Sequence, residues 1–262
     1  MQKTVVVITG SSRGIGFGLA KRFLERQCAV VINGSSPEST RKTLEQLSGF
    51  GSLLAGVPAD ISTKEGIAFL YEEARRHFGR VDIWVNNAGI SHDKRNIWEV
   101  EPGEIDRVID TNIRGIIYGT VIPFREMQKQ GSGKIFNMEG LGSDGFMLDG
   151  LTVYGTSKSA LTYFTRSFAH EARDSRVQVG TISPGMVVTD MLLKTVADGS
   201  PESLKNRKFF NIVADNVDTV TAFLCGEMLS SKEQSPRIRW LTKSKMIGRF
   251  LLSPFRKRDL FC

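Results

Sequence analysis

The sequence predicts a three-layer α/β fold, in which helices cover both faces of a doubly wound parallel sheet of about seven strands. Short runs rich in β-branched residues alternate with longer helical patterns along the chain, which is typical of βαβ units. The run Val5-Val6-Val7-Ile8 is apolar at every position, as expected for a strand that helices cover on both faces. The 262 residues show no internal repeat or long linker, which favours a single domain.

Seven strands are predicted, the last of them weakly, near residues 4–9, 28–33, 52–58, 81–86, 133–138, 177–183 and 238–242. Helical patterns lie between them, near residues 14–26, 38–48, 63–78, 101–130, 152–174 and 217–229. The segment from about 190 to 215 has the least regular pattern, and we expect a flexible excursion over an active site there. The folded domain is therefore expected to span residues 1–242, followed by an extension over 243–262.

Composition and charge exclude several classes of protein. No uncharged apolar run reaches the ~18 residues of a membrane-spanning helix, and the first strand begins too early for a signal peptide. The three cysteines are too few and too dispersed for a disulfide framework or a metal site, which favours a reducing cytoplasm. Residues 230–262 hold nine bases and two acids, whereas residues 1–229 sum to zero. A neutral body does not support nucleic-acid binding across the fold.

A glycine-rich turn follows the first strand and opens the first helix. Glycines at such a turn let backbone N–H groups approach a pyrophosphate and let the helix pack closely on the strand. The helix N-terminus adds partial positive charge and free donors for phosphate oxygens. A plain turn between strand and helix has the same pattern, but its place one strand into the chain favours a nucleotide site. Its residues are Gly10, Ser11, Ser12, Arg13, Gly14, Ile15 and Gly16.

Four motifs occur in order along the chain: Thr9-Gly10-x-x-x-Gly14-x-Gly16, Asn86-Asn87-Ala88-Gly89, Tyr154-x-x-x-Lys158 and Ser183-Pro184-Gly185. Over about residues 4–242 this ordered set resembles the short-chain dehydrogenase/reductase family. The resemblance implies a Rossmann-type fold and an oxidoreductase that uses a nicotinamide cofactor. It also implies that Asn87, Ala88 and Gly89 support the central sheet and the ribose of the cofactor.

The second strand ends in Asn33-Gly34-Ser35, without a carboxylate. An acid there would bind the ribose 2′-OH of NAD and repel a 2′-phosphate, whereas hydroxyls, N–H groups and an arginine accept a phosphate. Arg13 matches a basic position of NADP-dependent family members, with a solvated surface arginine as the alternative; Arg41 is a second nearby candidate. We therefore predict NADPH/NADP as the cofactor.

The resemblance places further cofactor contacts after other strands. Asp60, followed by Ile61, matches the acid that contacts the adenine, although an N-cap for the next helix is the alternative. The wall of the nicotinamide pocket is expected to run from Ile182 to Val187, and Thr189 is expected to contact the carboxamide. The residues expected to line the pocket are Pro184, Gly185, Val187 and Thr189.

Tyr154 and Lys158 stand four residues apart in a helical stretch, so their side chains share one face. A free tyrosine has a pKa near ~10, and a cation about 4 Å away contributes roughly 4 kcal/mol, or up to about three pKa units. By resemblance, Tyr154 protonates the substrate oxygen, while Lys158 lowers its pKa and binds the nicotinamide ribose. Asn112 matches the asparagine that holds a water in the proton relay.

One residue of the family's usual catalytic set, a serine, is absent from its usual position. Leu141 stands where the family has a serine that hydrogen-bonds the substrate carbonyl, and Ser143 is the nearest replacement, with an ordinary loop serine as the alternative. The sequence Asn137-Met138-Glu139-Gly140-x-Gly142-Ser143 is similar to the chlorophyll b reductase branch of the family. This resemblance implies NADPH-dependent reduction of the 7-formyl group of a chlorophyll b-type tetrapyrrole to an alcohol. The alternatives are a general ketone or acyl-chain keto reductase and a catalytically silent nucleotide-sensing protein.

Assembly and location are predicted from two apolar stripes. Ala160, Leu161, Phe164 and Phe168 form one on the helix of Tyr154, and the family pairs such helices in dimers or tetramers, although a core-facing stripe is equally consistent. The extension over 243–262 has a narrow apolar stripe beside basic residues. It is expected to be a docked helix, a substrate lid or a peripheral membrane contact. The expected location is cytoplasmic, or the plastid stroma for a plant protein.

Overall fold

The computed structural model of the protein describes residues 3–193, 201–255 and 258–261. Its strands are β1 (Val5–Ile8), β2 (Ala29–Gly34), β3 (Leu54–Pro58), β4 (Ile83–Asn86), β5 (Gly133–Met138), β6 (Val177–Ser183), β7 (Val187–Val188), β8 (Asp215–Asn216) and β9 (Arg237–Arg239). Among the described residues, seven of them form one parallel sheet in the order β3-β2-β1-β4-β5-β6-β9. The predicted α/β class, with its doubly wound sheet, is confirmed.

The helices are α1 (Gly14–Glu25), α2 (Pro37–Gln46), α3 (Lys64–Phe78), α4 (Pro102–Ile109), α5 (Gly115–Gln130), α6 (Thr152–Glu171), α7 (Asp190–Leu193), α8 (Pro201–Val213), α9 (Val217–Ser230) and α10 (Lys243–Leu252). The single helix predicted over 101–130 is divided, because Asp110–Arg114 between α4 and α5 is a π-helical turn. Short 3₁₀ turns lie at Ser48–Leu53 and Ile97–Glu99. No described helix is long and apolar enough to cross a membrane.

Successive side chains of β1 enter two separate apolar layers. Val6 and Ile8 pack in the layer that contains Phe23 of α1, whereas Val7 packs in the opposite layer with Trp84. Because neighbouring residues of a strand point to opposite faces, a strand covered on both sides must be apolar throughout. The sheet and its helices hold the carboxyl ends of the strands in a fixed arrangement.

Two sequence predictions are wrong in detail. The seventh strand spans Arg237–Arg239 and not 238–242, because the chain leaves the sheet after Trp240 donates its N–H to Ser183 O. The irregular segment expected over 190–215 contains α8, which begins at proline, a residue suited to the first helical turn. Residues 194–200 of that segment lie outside the described ranges.

The C-terminal extension forms α10, which begins after the N-cap Thr242. Met246 of α10 packs in an apolar cluster with Phe210 and Val213 of α8. Residues 243–252 are therefore docked on the body, and the choice among the three alternatives for the role of the extension stays a prediction; Arg256 and Lys257 lie outside the described ranges. The proposed boundary between 1–242 and 243–262 falls at this N-cap and stays a prediction.

Candidate active site

The order of the strands places a crevice at the carboxyl ends of β1 and β4. The chain proceeds outward from β1 through β2 to β3 on one side, and from β4 through β5 and β6 to β9 on the other. Ligands of open α/β sheets bind at such a reversal of strand order. All four sequence motifs lie at this edge.

Gly10 must be glycine for two reasons. Its φ is 59°, in the left-handed region, and a β-carbon there would lie 2.8 Å from the Cα of Ala88. Asn87 holds the turn against β4 by donating its side-chain amide to Thr9 O at 2.9 Å and to Gly10 O at 3.1 Å. The turn therefore exposes backbone, and α1 starts at Gly14, which suits a pyrophosphate.

Ser11 and Asn33 hold this turn from inside. Ser11 is fully buried; its hydroxyl donates to Ile8 O and accepts from the N–H of Asn33. The Asn33 side chain is also buried, accepts from Gly10 N–H at 3.1 Å and donates to Val57 O and Ala59 O. The polar atoms of this amide are thus hydrogen-bonded within the protein, and the expected contact of Asn33 with the cofactor stays a prediction.

The end of β2 has no carboxylate from Asn33 to Ser35, and the next acid, Glu38, pairs with Lys42 on α2. Ser35 is exposed at the end of β2, and Arg13 is exposed at the N-terminus of α1, with no ion pair to a described residue. Arg41 instead pairs with Glu45 on α2. Arg13 thus fits a 2′-phosphate better than Arg41 does.

Asp60 is exposed and accepts hydrogen bonds from the backbone N–H and the hydroxyl of Ser62 at 3.0 and 2.7 Å. The N-cap of α3 is Thr63, whose hydroxyl accepts from Gly66 N–H at 3.0 Å. The alternative role of Asp60 as N-cap is therefore wrong. Its contact with adenine, beside Ile61, stays a prediction.

Tyr154 and Lys158 lie one turn apart on α6, with Lys158 Nζ 5.8 Å from the centre of the tyrosine ring. Burial raises the pKa of Tyr154 to about 12 and lowers the pKa of Lys158 to about 8. Burial therefore outweighs the expected lowering of the Tyr154 pKa by Lys158, whose ammonium donates to Met138 O at 3.1 Å. At neutral pH the tyrosine keeps its proton, as a proton donor requires.

Gly140 lies directly against this pair, and sequence reasoning did not assign it a site role. A β-carbon on Gly140 would lie 2.6 Å from Tyr154 Oη and 3.2 Å from Lys158 Cε. Any larger residue would displace the reactive hydroxyl. In the sequence, Gly140 belongs to the stretch Asn137-Met138-Glu139-Gly140, beside the position of Leu141 at which the chain departs from the family's usual serine. Glu139 itself is buried and accepts from Arg237 Nε at 3.0 Å.

Ser143 does not face the site as a free donor. Its hydroxyl accepts from Gly140 N–H at 3.0 Å and donates to Lys158 O at 3.3 Å. Both hydrogen bonds of the Ser143 hydroxyl are thus made within the protein, and its expected role as donor to the substrate carbonyl stays a prediction. Ser143 fixes the position of Gly140 and of the loop that follows it.

Asn112 lies in the π-helical turn and is fully buried. Its side chain accepts from Ile90 N–H at 2.9 Å, and donates to Ile90 O at 2.8 Å and to Ser157 Oγ at 3.0 Å. A β-carbon on Gly89 would lie 3.3 Å from Lys158 Nζ and 3.4 Å from Asn112 Oδ1. Asn112, Lys158 and Gly89 therefore converge as predicted, while the relay water stays a prediction.

The segment expected to cover the nicotinamide returns to the glycine turn. A β-carbon on Gly14 would lie 3.7 Å from Thr189 Cγ2, and Gly185 has a φ of 69° with Leu241 against it. Val187 pairs with Asp215 in the short β7–β8 ribbon. Pro184 is buried at the end of β6. The contact of these residues with a nicotinamide stays a prediction.

Asp215 anchors that ribbon, and no sequence motif pointed to it. The residue is 5% exposed and its carboxylate accepts from Arg249 at 2.6 Å, from Arg258 at 2.8 Å and from Trp240 Nε1 at 2.6 Å. Its backbone N–H donates to Met186 O at 3.0 Å. The basic extension is thereby tied to the segment that carries Thr189.

This geometry agrees with a comparison to known families. A model of the short chain dehydrogenase family matches residues 4–199. The chain belongs to the short-chain dehydrogenase family. The cradle of the glycine turn fits the nicotinamide dinucleotides that such folds bind.

Two plant relatives of this chain are named as chlorophyll(ide) b reductases. A probable chlorophyll(ide) b reductase of Oryza sativa subsp. japonica, named NYC1, is 34% identical over 92% of this chain and 50% of its own length. The chain thus spans about half the length of the NYC1 relatives it matches. The chlorophyll(ide) b reductase NOL of the same plant is 32% identical over 93% of this chain and 73% of its own.

A solved structure gives the same fold. The 3-ketoacyl-(acyl-carrier-protein) reductase from Brucella melitensis, in complex with NADH, has a TM-score of 0.76 and 28% identity. The match covers 92% of this chain and 98% of that chain.

Proposed function

We propose that the protein is an NADPH-dependent carbonyl reductase that converts a formyl group on a large apolar molecule to an alcohol. The proposed substrate is the 7-formyl group of chlorophyll b or of a related tetrapyrrole. The observation that carries this proposal is the buried Tyr154–Lys158 pair with Gly140 packed against the hydroxyl. The names of the NYC1 and NOL relatives support the substrate class.

The chain's own residues supply the proton and its electrostatic support. A bound nicotinamide cofactor supplies the hydride that is added to the carbonyl carbon. Tyr154 gives its phenolic proton to the carbonyl oxygen, so that a C–H and an O–H bond form, the π bond of the carbonyl is lost and the C–O single bond is kept. The ammonium of Lys158 then stabilises the tyrosinate, whose charge would otherwise be unpaired in a buried position. Asn112 fixes Ile90 beside the reacting groups and is proposed to hold the water that returns a proton.

The proposed cofactor preference follows from charge at the ribose rim. The glycine turn and the start of α1 would bind the phosphates, through Gly10, Ser12, Gly14, Ile15 and Gly16. Arg13 and the exposed Ser35 would bind a 2′-phosphate. The Brucella relative's complex with NADH makes NAD the alternative.

The loops beyond the site favour a large apolar substrate. Gly150 O accepts from Arg95 N–H at 3.2 Å, which ties the loop after β5 to the loop after β4. The first of these loops begins at Gly140 against Tyr154 and carries three exposed apolar side chains: Phe146, Met147 and Leu148. Ile90 on the second is 36% exposed. Such an apolar rim suits a macrocycle better than a small hydrophilic carbonyl.

The test is oxidation of NADPH with a panel of carbonyl compounds. We expect turnover with a chlorophyll b-type formyl tetrapyrrole in detergent, and slower turnover with a β-ketoacyl thioester. Faster turnover with the thioester would favour the keto reductase, which the Brucella structure supports. Binding of NADPH without turnover on any carbonyl would favour the nucleotide-sensing protein.

We further propose a homo-oligomer in the cytoplasm, or in the plastid stroma of a plant. Leu161 is in the core, so the predicted stripe offers an interface only through Ala160, Phe164 and Phe168. Phe168 packs edge-on against Phe124 of α5. Light scattering of the purified chain would give the number of subunits.

A further inference from the structure

Helices α8 and α10 share an outward surface that is rich in exposed apolar side chains, and we call it the α8/α10 face. Its apolar members are Leu204, Phe209, Ile247, Phe250, Leu251, Leu252 and Phe255. Leu251 is 71% exposed and Phe255 is 85% exposed. Phe209 and Phe250 join the exposed side chains of the two helices, with ring centres 6.0 Å apart. Exposed apolar surface of this kind marks a site of interaction with a protein or a membrane.

Helix α10 is held with this apolar side outward. Its inner side carries Arg249, which donates to Asp215 at 2.6 Å and to Val213 O at 2.8 Å. Met246 packs inward beside Phe210. Turning the apolar residues inward would break the buried ion pair, so the exposure is built into the fold.

Basic side chains are interspersed with the apolar ones. Lys205, Lys208 and Lys243 are exposed and make no ion pair with a described residue. On α8, Lys208 follows Leu204 by four positions and Phe209 follows Lys205 by four, so each cation neighbours an apolar side chain.

We propose that the α8/α10 face binds reversibly to the surface of an anionic lipid bilayer. The apolar side chains would enter the boundary between headgroups and acyl chains, and the lysines would lie among the anionic headgroups. A symmetric dimer through the same surface would bring two positively charged faces together, which disfavours a second copy as the occupant. Binding to a bilayer does not require the proposed reductase activity.

The face also borders the candidate active site. Helix α7 begins directly after Thr189, and its Leu192 packs in the same cluster as Met246. If the proposed function holds, a substrate dissolved in the bilayer would reach the site without passing through bulk water.

The experiment is co-sedimentation of the full chain with vesicles at low and high salt. We expect binding to vesicles of phosphatidylcholine with phosphatidylglycerol, and at least tenfold weaker binding to phosphatidylcholine alone, since each basic residue near the surface contributes about fivefold. The double variant Leu251→Ser/Phe255→Ser should bind on the order of 100-fold more weakly, at about tenfold for each side chain removed. Phe69→Ser on α3, which is 52% exposed, is the matched control and should bind like the parent.

Three results would overturn the proposal. The first is no binding of the parent to anionic vesicles at low salt. The second is equal binding by the parent and the double variant. The third is an oligomer that the parent and Phe69→Ser form without lipid and that the double variant does not form. Turnover of a water-soluble aldehyde by the parent and the double variant is followed in parallel, so that failure of membrane binding is distinguished from failure of the proposed function.

Discussion

Asp215→Asn is the substitution whose effect the structure defines best. The buried carboxylate accepts from Arg249, Arg258 and Trp240, and the strand that carries it pairs with the segment leading to Thr189. Asparagine keeps the volume and one acceptor oxygen but removes the charge. Two guanidinium groups would then lose their shared anion.

The expected cost is intermediate between that of a buried pair and that of a surface pair. Removing one partner of a buried pair costs about 3–5 kcal/mol. The side chains of Arg249 and Arg258 are 18% and 32% exposed, so water compensates for part of the loss. We therefore expect the free energy of unfolding to fall by about 2–3 kcal/mol. The corresponding fall in Tm is roughly 5–10 °C for a chain of this size.

Denaturant unfolding and NADPH titration together test this expectation. Glu45→Gln, which removes the exposed partner of Arg41, should cost below about 0.5 kcal/mol and is the control. The NADPH Kd should rise for Asp215→Asn and stay constant for Glu45→Gln, because only the first loosens the β7–β8 ribbon. A free energy of unfolding equal to that of the parent would refute the reasoning. So would a double variant with Arg258→Gln whose cost is the plain sum of the two single variants.

Four further predictions concern the site itself. Ser35→Asp should raise the Kd for NADPH relative to the Kd for NADH, measured by nicotinamide fluorescence. Ser35 is chosen because it is exposed, whereas Gly34 is buried. An unchanged ratio of the two Kd values would contradict the proposed binding of a 2′-phosphate at Ser35. Tyr154→Phe should lose turnover by on the order of 10²-fold or more while the NADPH Kd is kept, whereas Tyr163→Phe, exposed on the same helix, should behave like the parent. Gly140→Ala should lower kcat with little change in NADPH Kd, because its methyl group would meet the Tyr154 hydroxyl; normal kcat would contradict that contact. Burial lowers the pKa of Lys158 from 10.5 to about 8, so the unfolded chain binds more protons between these values and stability should rise with pH across that window. Lys158→Met should remove that rise, gaining about 3 kcal/mol over the parent at pH 7, and parallel pH profiles for the two proteins would show that Lys158 does not titrate this way.

The sequence was sufficient for the elements whose pattern is local. Val5–Ile8 and Ile83–Asn86 are strands as predicted, because covering helices require apolar residues at every position. The motif residues Gly10, Lys158 and Asn112 converge because their spacing is tied to the order of the strands.

Features that depend on distant partners were out of reach. Asp215 becomes an anchor only through Arg249 and Arg258, which lie 34 and 43 residues away. The hydroxyl of Ser143 donates to Lys158 O, 15 residues on, a contact that its place in the sequence does not reveal. Helix α8 was missed because its amphipathic pattern is weak and its packing against α10 supplies the stability that propensity does not.

The ion pairs of Asp215 with Arg249 and Arg258 can form only late in the synthesis of the described chain. The glycine turn, the strands up to β6 and the Tyr154–Lys158 pair all precede Ser183, so they can fold while the chain is still being made. Arg258, which pairs with Asp215, follows it by 43 residues. The segment that carries Thr189 therefore acquires this anchor only after those residues have been made, later than the Tyr154–Lys158 pair can form.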